Sequence, residues 1–371
     1  MMTGKDPIGR ILHGFAIYGD LMSYQAMGGG HINTTIVSMW NQGGTTVRYT
    51  HQKINRQVFA HPDELMHNIQ EVTSHIRNKL IAMGDGAPTR HVLSVVPAWD
   101  GRLFVQDDTG EYWRTYVFIE RVFTYDHLDT PLLAQRIGGM TGRFQNLLRD
   151  YAGNRLYETI PHFHDMLWRY RQLETAVSEN RFGRLQDCGS ELAFLMENRE
   201  RGMIISDALS SGAVPEGITH NDMKLNNILF DSESKTPVCM IDLDTVMMNS
   251  SMLFDTGDLI RTATITGLED ETDLGKIGFD LKLYKALVGG YLQEAGSFLT
   301  QTEKSLIGES GRTITQIMAV RFLTDYLSGD VYYRTDRLRH NLERTRTQIA
   351  LMRSMDAQWS AVEAYTESFM E

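Results

Sequence analysis

The chain has 371 residues, is 42% hydrophobic and 22% charged, and carries a formal net charge of −11 at neutral pH. That composition is ordinary for a folded globular protein, and the length suffices to bury more than one core. The acidic balance, with no long basic block, excludes broad non-specific nucleic-acid binding.

No apolar run approaches the roughly 18 residues of a membrane span, and the N-terminal residues lack a signal-peptide core. A soluble, cytoplasmic protein with no membrane partner is the expectation. The two cysteines, Cys188 and Cys239, lack metal-like spacing and read as small core residues of a reducing compartment.

In chain order, residues 10 to 60 read mostly as strands and turns. A glycine-rich turn, Gly28-Gly29-Gly30-His31-Ile32-Asn33-Thr34-Thr35, leads into Ile36-Val37-Ser38-Met39. Glycine permits close backbone approach to a ligand, so Gly29, Gly30, His31, Asn33 and Thr34 are candidates to cover nucleotide phosphates. A plain hairpin turn explains the same residues, and neither a Walker loop nor a dinucleotide fingerprint is present. A strand follows at Thr45 to Thr50. Pro62 to Ala82 reads as a helix whose Leu65, Ile69, Val72, Ile76 and Leu80 form one apolar stripe. Glu71 is its candidate to pair with a phosphate-gripping strand lysine, or else is a solvated helix residue.

Strands are predicted at Val92 to Val96, Arg102 to Gln106 and Trp113 to Ile119, the last two joined by a polar turn. The last runs into Glu120-Arg121-Val122, a hinge where backbone groups of Phe118 and Glu120 can meet an adenine edge. Residues 1–124 are therefore expected to form a small nucleotide-binding lobe and 125–371 a helical catalytic and acceptor-binding lobe. Helices are predicted over Leu132 to Tyr151, His162 to Val177 and Glu191 to Met203. His162 and His164 fall in the first turn of the second of these, without a partner at metal-ligand spacing.

The stretch Thr219 to Thr245 carries the chemistry. Apolar runs at 228–230 and 238–241 flank a polar turn, which predicts a hairpin with Asn227 and Asp242 at its open end and Asp222 just before it. Two carboxylates and an amide oxygen in one small volume suit Mg²⁺ with substrate phosphates. The spacing H-x-D-x-x-x-x-N, followed by an apolar strand ending in I-D-x-D, is the pattern of a kinase-type phosphotransferase. An acidic surface hairpin is the bland alternative. Downstream, Asp258 either caps backbone amides of this loop or binds acceptor. Arg321 and Asp325 lie four apart on a largely apolar helix and are candidates for an ion pair or for acceptor binding. Two last helices are predicted at Arg337 to Met352 and Trp359 to Phe369.

On His220-Asn221-Asp222 with Asn227, the run Ile241 to Thr245, and Asp255 to Arg261, the chain resembles the aminoglycoside/choline-kinase-like phosphotransferases. It is similar to their N-acetylhexosamine 1-kinase branch in GGHINTT at 29–35, the run at 52–75, YVFIE at 116–120, RFLTDYLSGDVYY at 321–333 and HNLERTRTQ at 340–348. The resemblance implies an α+β, bilobal protein-kinase-like fold with a small β-rich N-terminal lobe and a larger helical lobe. It implies ATP and Mg²⁺ as cofactors, Asp222 as general base, Asn227 and Asp242 as metal ligands and His220 as a brace. The implied acceptor is a small sugar, an N-acetylhexosamine phosphorylated at its anomeric hydroxyl, with another sugar, an aminoglycoside or an amino alcohol as the alternative. A non-catalytic nucleotide-binding protein is the rival from another class. One departure stands out: the strand that bears the phosphate-binding lysine in the wider family ends here in Gln52 and Lys53, which alternation turns to opposite faces.

Overall fold

The computed structural model describes residues 6–27 and 34–370, and it is a mixed α+β fold. Its contacts divide into two compact units. The first comprises residues up to Phe123 together with 151–160 and 229–247, and the second holds the remainder from Thr124 onward.

The first unit is built on a five-stranded antiparallel sheet. Strands β1 (Asp20–Met27), β2 (Thr34–Gln42), β3 (Thr45–Lys53), β4 (Val105–Gln106) and β5 (Tyr112–Val117) are ordered β1-β2-β3-β5-β4. The Gly43-Gly44 turn between β2 and β3 has positive φ at both residues, as a two-residue hairpin requires. A helix absent from the sequence reading, α1 (Pro7–His13), packs Ile11 and Leu12 into the core with Trp40, Tyr49 and Trp113. Its start was legible: Asp6 accepts the Gly9 amide at 3.0 Å and Pro7 opens the first turn. The helix α2 (Pro62–Ala82) matches its predicted span, and all five stripe residues are buried.

Val92 to Val96, expected as a strand, makes only an isolated bridge, Val95 to Tyr116. The Val96 and Val117 amides bond Thr115 and Ser94 across the edge of β5, but Pro97 follows and has no N–H to extend the ladder. The expected strand at Arg102 to Gln106 shrinks to β4.

The second unit is mainly helical. Its Pro131–Leu148 and Leu281–Ala295 helices approach closely, because a Cβ on Gly138 or Gly290 would overlap the carbonyl of Leu287 or Gln135. The helix predicted from His162 begins instead at Met166, where Asp165 caps the Trp168 amide and His162 stands outside at φ 58°. The helix predicted over Glu191 to Met203 breaks at Asn198 into Gly189–Glu197 and Arg199–Gly202. The helix expected around Arg321 and Asp325 is present as Ile307–Leu327 and is buried on nearly every side. His340–Ala357 and Trp359–Glu367 close the unit. Among the described residues no helix is long and apolar enough to cross a membrane.

One buried group of the sheet makes stability depend on pH. His51 is fully enclosed between Ser38 Oγ at 2.6 Å and Thr115 Oγ1 at 2.7 Å, and burial lowers its pKa from 6.5 to about 3. A ring held neutral in the folded state stabilises it fully above pH 6.5, and that contribution is lost as pH falls toward 3. At pH 5 the loss from this single group is roughly 2 kcal/mol. Urea denaturation at pH 7 and pH 5 is expected to show a smaller difference for His51→Gln than for the parent. Equal differences would deny His51 this role.

Candidate active site

The catalytic stretch of the second unit is held from below by a carboxylate. After the short strand Gly217–Thr219 the backbone turns through Asn221, a non-glycine residue at φ 65°. Asp255, buried in the Met252–Thr264 helix, accepts the His220 amide at 2.9 Å and the Asn221 amide at 2.7 Å. Burial pushes its carboxyl up to about 6, against the opposing pull of His220 and the two amides. His164 Nε2 bonds the Asn221 carbonyl at 3.0 Å from outside. Donation there leaves Nδ1 as the acceptor nitrogen, and it has no partner among the described residues.

On this support Asp222 and Asn227 meet. The Asn227 amide nitrogen donates to the Asp222 carbonyl at 2.8 Å and to its Oδ2 at 3.0 Å, while Lys224 Nζ reaches the same Oδ2 at 2.8 Å. The Asp222 amide points back to His220 Nδ1 at 3.3 Å, so His220 does brace the loop. Burial alone would raise the Asp222 carboxyl. Lys224, His220 and Asn227 outweigh it and hold the group below the ordinary carboxylate range. Asp222 is therefore an ionised acceptor at neutral pH.

Three expected acceptor residues fare differently. Asp258 does not cap the loop, since Asp255 one turn earlier does; Asp258 pairs with Arg261 at 2.9 Å. Burial raises its carboxyl and the neighbouring Asp222 charge adds to that, against Arg261. Arg321 does not pair with Asp325. Its guanidinium lies over Phe163 at 4.7 Å, Tyr333 at 5.5 Å and Tyr332 at 5.6 Å, and it feels the Asp222 charge. Asp325 instead accepts the amides of Val331, Tyr332 and Tyr333 and the Asn341 side chain, two bonds on each oxygen. A carboxylate has about four acceptor sites, so Asp325 has none left for an acceptor or for Arg321.

In the first unit, Gly29, Gly30, His31 and Asn33 lie outside the described residues, and Thr34 opens β2 opposite Lys53. The Phe118 amide bonds Arg48 O at 3.1 Å, and Arg48 stacks on the Phe118 ring at 4.0 Å. Glu120 pairs with Arg48 through its carboxylate, and its carbonyl accepts Arg90 at 2.6 Å. Glu71 has no salt bridge to a lysine among the described residues; it accepts Tyr151 at 2.7 Å and Asn154 at 3.2 Å. One turn earlier, buried Asn68 clamps Tyr157 and also donates to the Val246 carbonyl at 2.9 Å.

Asp242 has the left-handed φ of 62°, a strained setting for a non-glycine residue. Two residues on, Asp244 is paired bidentately with Arg114 of β5, at 2.5 and 3.0 Å. Arg114 also donates to Gln52 Oε1 at 3.0 and 2.8 Å, the residue opposite it in the β3–β5 ladder. Burial would lower the guanidinium pKa, but Asp244 and, less strongly, Asp242 raise it.

Among the described residues no group of three His, Cys, Asp or Glu is arranged to hold a metal. A neutral amide oxygen beside an ionised carboxylate, as Asn227 and Asp222 present within the second unit, fits Mg²⁺, which takes one or two protein oxygens and completes its shell with phosphates and water. In the second unit, with its amide nitrogen given to Asp222, Asn227 has its Oδ1 as the side-chain atom able to face a cation.

The sequence model of the phosphotransferase enzyme family matches residues 24–273, well over half of the chain. The chain belongs to that family. The phosphotransferase is also similar in fold to solved structures at low identity. An aminoglycoside phosphotransferase from Alicyclobacillus acidocaldarius subsp. acidocaldarius DSM 446 gives a TM-score of 0.63 at 12% identity, covering 99% of this chain and 98% of the other. A microcompartment-associated aminopropanol kinase gives 0.61 at 16% identity, covering 96% and 98%. Choline kinase from Cryptosporidium parvum Iowa II gives 0.56 at 12% identity, covering 94% and 93%.

Sequence reasoning gave no supporting role to Asp255 and His164 of the second unit, and did not single out Arg114 and Asn68 of the first. Arg114 had a signal, a lone charge inside the apolar strand Trp113 to Ile119. Asp255 had one as well, standing one turn before Asp258 on the same helix. Nothing local distinguishes His164 or Asn68, whose partners lie 57 and up to 178 residues away.

Proposed function

We propose that the protein transfers the γ-phosphoryl group of ATP to the anomeric hydroxyl of an N-acetylhexosamine, giving the sugar 1-phosphate and ADP. The observation that carries this reading is the ionised Asp222 carboxylate, held by Lys224 and Asn227 in a family of phosphotransferases. Asp222 orients the acceptor hydroxyl and takes its proton as that oxygen bonds to phosphorus and the bridging P–O bond to ADP breaks. Asn227 and Asp242 would be the oxygen ligands of Mg²⁺, which when bound neutralises phosphate charge. Positioning and charge stabilisation supply most of the rate, since no covalent intermediate forms.

A neutral acceptor is favoured over a quaternary ammonium. The rings of Phe163, Tyr332 and Tyr333 that could cage such a cation already surround Arg321. Among the described residues the Arg321 N–H groups have only long contacts, 3.6 Å to Met318 Sδ and 3.5 Å to the Tyr332 hydroxyl, so they remain able to donate to a sugar oxygen. The sugar branch itself is supported by the runs at 29–35, 52–75, 321–333 and 340–348.

The test is Mg²⁺-dependent ADP release over N-acetylhexosamines, plain hexoses, aminoglycosides and choline, with the product resolved by ³¹P NMR. N-acetylglucosamine or N-acetylgalactosamine is expected to give a C1 phosphate. Turnover confined to choline or an aminoglycoside would overturn the acceptor assignment and leave the phosphotransfer chemistry standing.

A further inference from the structure

The peptide joining Asn221 to Asp222 carries the proposed base, and it follows a residue of unfavourable backbone geometry. Asn221 has φ 65°, a setting that persists in a non-glycine residue only where its surroundings fix it. Asp255 fixes the near side of the turn through the His220 and Asn221 amides. The 221–222 peptide lies one step closer to the Asp222 side chain, and its two ends are held separately. Its amide end makes a long contact, 3.3 Å to His220 Nδ1. Its carbonyl end takes the shorter bond, 3.0 Å from His164 Nε2.

His164 is placed for that one bond. It comes from the turn before the Met166–Glu179 helix, 57 residues from its partner. Its ring is buried, with Phe163 edge-on at 4.7 Å and Phe254 tilted at 5.2 Å. Burial, then the Arg321 charge, lowers its pKa to about 3, so the ring is neutral at neutral pH and holds a single N–H. A carbonyl can only accept, which fixes that hydrogen on Nε2. Nδ1 is then a buried acceptor with no partner among the described residues. A purely apolar ring would fill the same space without that cost, so packing alone does not account for a histidine here.

We propose that His164 is a positioning residue for the phosphotransfer, pinning the 221–222 peptide so that the Asp222 carboxylate stays aimed at the acceptor hydroxyl. The proposal rests on the reading of Asp222 as the base. Turning that peptide swings the Cα–Cβ bond of Asp222 and draws Oδ2 away from Lys224 and Asn227, which hold it at 2.8 and 3.0 Å. A misplacement of about 1 Å at a reacting group costs on the order of a hundredfold in rate.

The experiment sets His164→Phe, which keeps a ring and removes the donor, against His164→Gln, whose side-chain nitrogen reaches the place of Nε2. His164→Phe is also combined with Asp222→Asn. ADP release is measured on whichever acceptor the parent turns over, with urea denaturation of each protein. His164→Phe is expected to lower kcat about 10- to 100-fold with ATP KM within about threefold, and His164→Gln to recover most of the loss. On the Asp222→Asn background the same change should cost less than about threefold, because residues that act as a unit are not additive. Parental kcat in His164→Phe, or equal losses in the two His164 variants, overturns the proposal while Asp222 keeps its role. So does an undiminished His164→Phe loss on the Asp222→Asn background, which would place its action elsewhere. Parental kcat in Asp222→Asn alone removes the reading of the base, and the proposal falls with it. If His164→Phe does not fold, His164→Asn replaces it with the same expected outcomes, since its shorter side chain holds the donor too near its own backbone to reach Asn221.

Discussion

Asp222→Asn is expected to lower kcat about 10²- to 10⁴-fold, the usual worth of a positioned general base, while ATP KM changes little. The substitution is nearly isosteric. Its amide oxygen can still accept from Asn227, whose second bond goes to the backbone carbonyl and is untouched. Lys224 loses its carboxylate but is partly exposed, as is Asp222, so its ammonium can turn to water at small cost. The loss should therefore fall on the chemical step. In the parent, Asp222 is held below the ordinary carboxylate range by Lys224, His220 and Asn227 against burial, so its acid limb in kcat/KM lies below that range as well. A limb near pH 6 would not be that of Asp222; burial lifts Asp255 to about 6 and raises Asp258 too. Loss of less than tenfold in Asp222→Asn, measured by ADP release at saturating acceptor, would remove Asp222 from the role of base.

The parts of this protein that sequence made legible are those dictated by local pattern. The α2 helix was readable because five apolar residues recur on one face and proline opens the first turn. Asp222 and Asn227 were readable because a fixed spacing along one loop brings their side chains together. Residues whose roles depend on distant partners were not. Asp325 looked like the natural partner of Arg321 on a helix, yet the chain reversal at 331–333 presents three amides that claim it. Asp258 looked like the cap of the catalytic loop, but Asp255, one turn earlier, holds the two amides.

The departure at Gln52 and Lys53 finds its explanation in the same terms, and it leads to the largest expected effect on stability. The strand position that would bear a lysine holds Gln52, whose side-chain oxygen accepts two bonds from Arg114 on the adjacent strand. Arg114 spends its remaining bonds on Asp244, and both side chains are almost wholly buried, at 1% and 4% exposure. Arg114, on the neighbouring strand, thus ties Gln52 to the turn that follows Asp242. Arg114→Met should take the bidentate cation away from the buried Asp244 carboxylate, a destabilisation of about 3–5 kcal/mol. Arg114→Lys should recover only part, because an ammonium cannot span two carboxylate oxygens and Gln52 together. Removing both charges, as Arg114→Met with Asp244→Leu, should restore much of the stability, since an apolar pair of similar volume tolerates burial. If Arg114 also positions Asp242, the double variant will refold yet show a raised KM for MgATP, with acceptor KM unchanged. Urea denaturation and the two KM values separate these cases. A double variant with parental KM for MgATP would reduce Arg114 to a purely structural ion pair, and an Arg114→Met protein as stable as the parent would deny it even that.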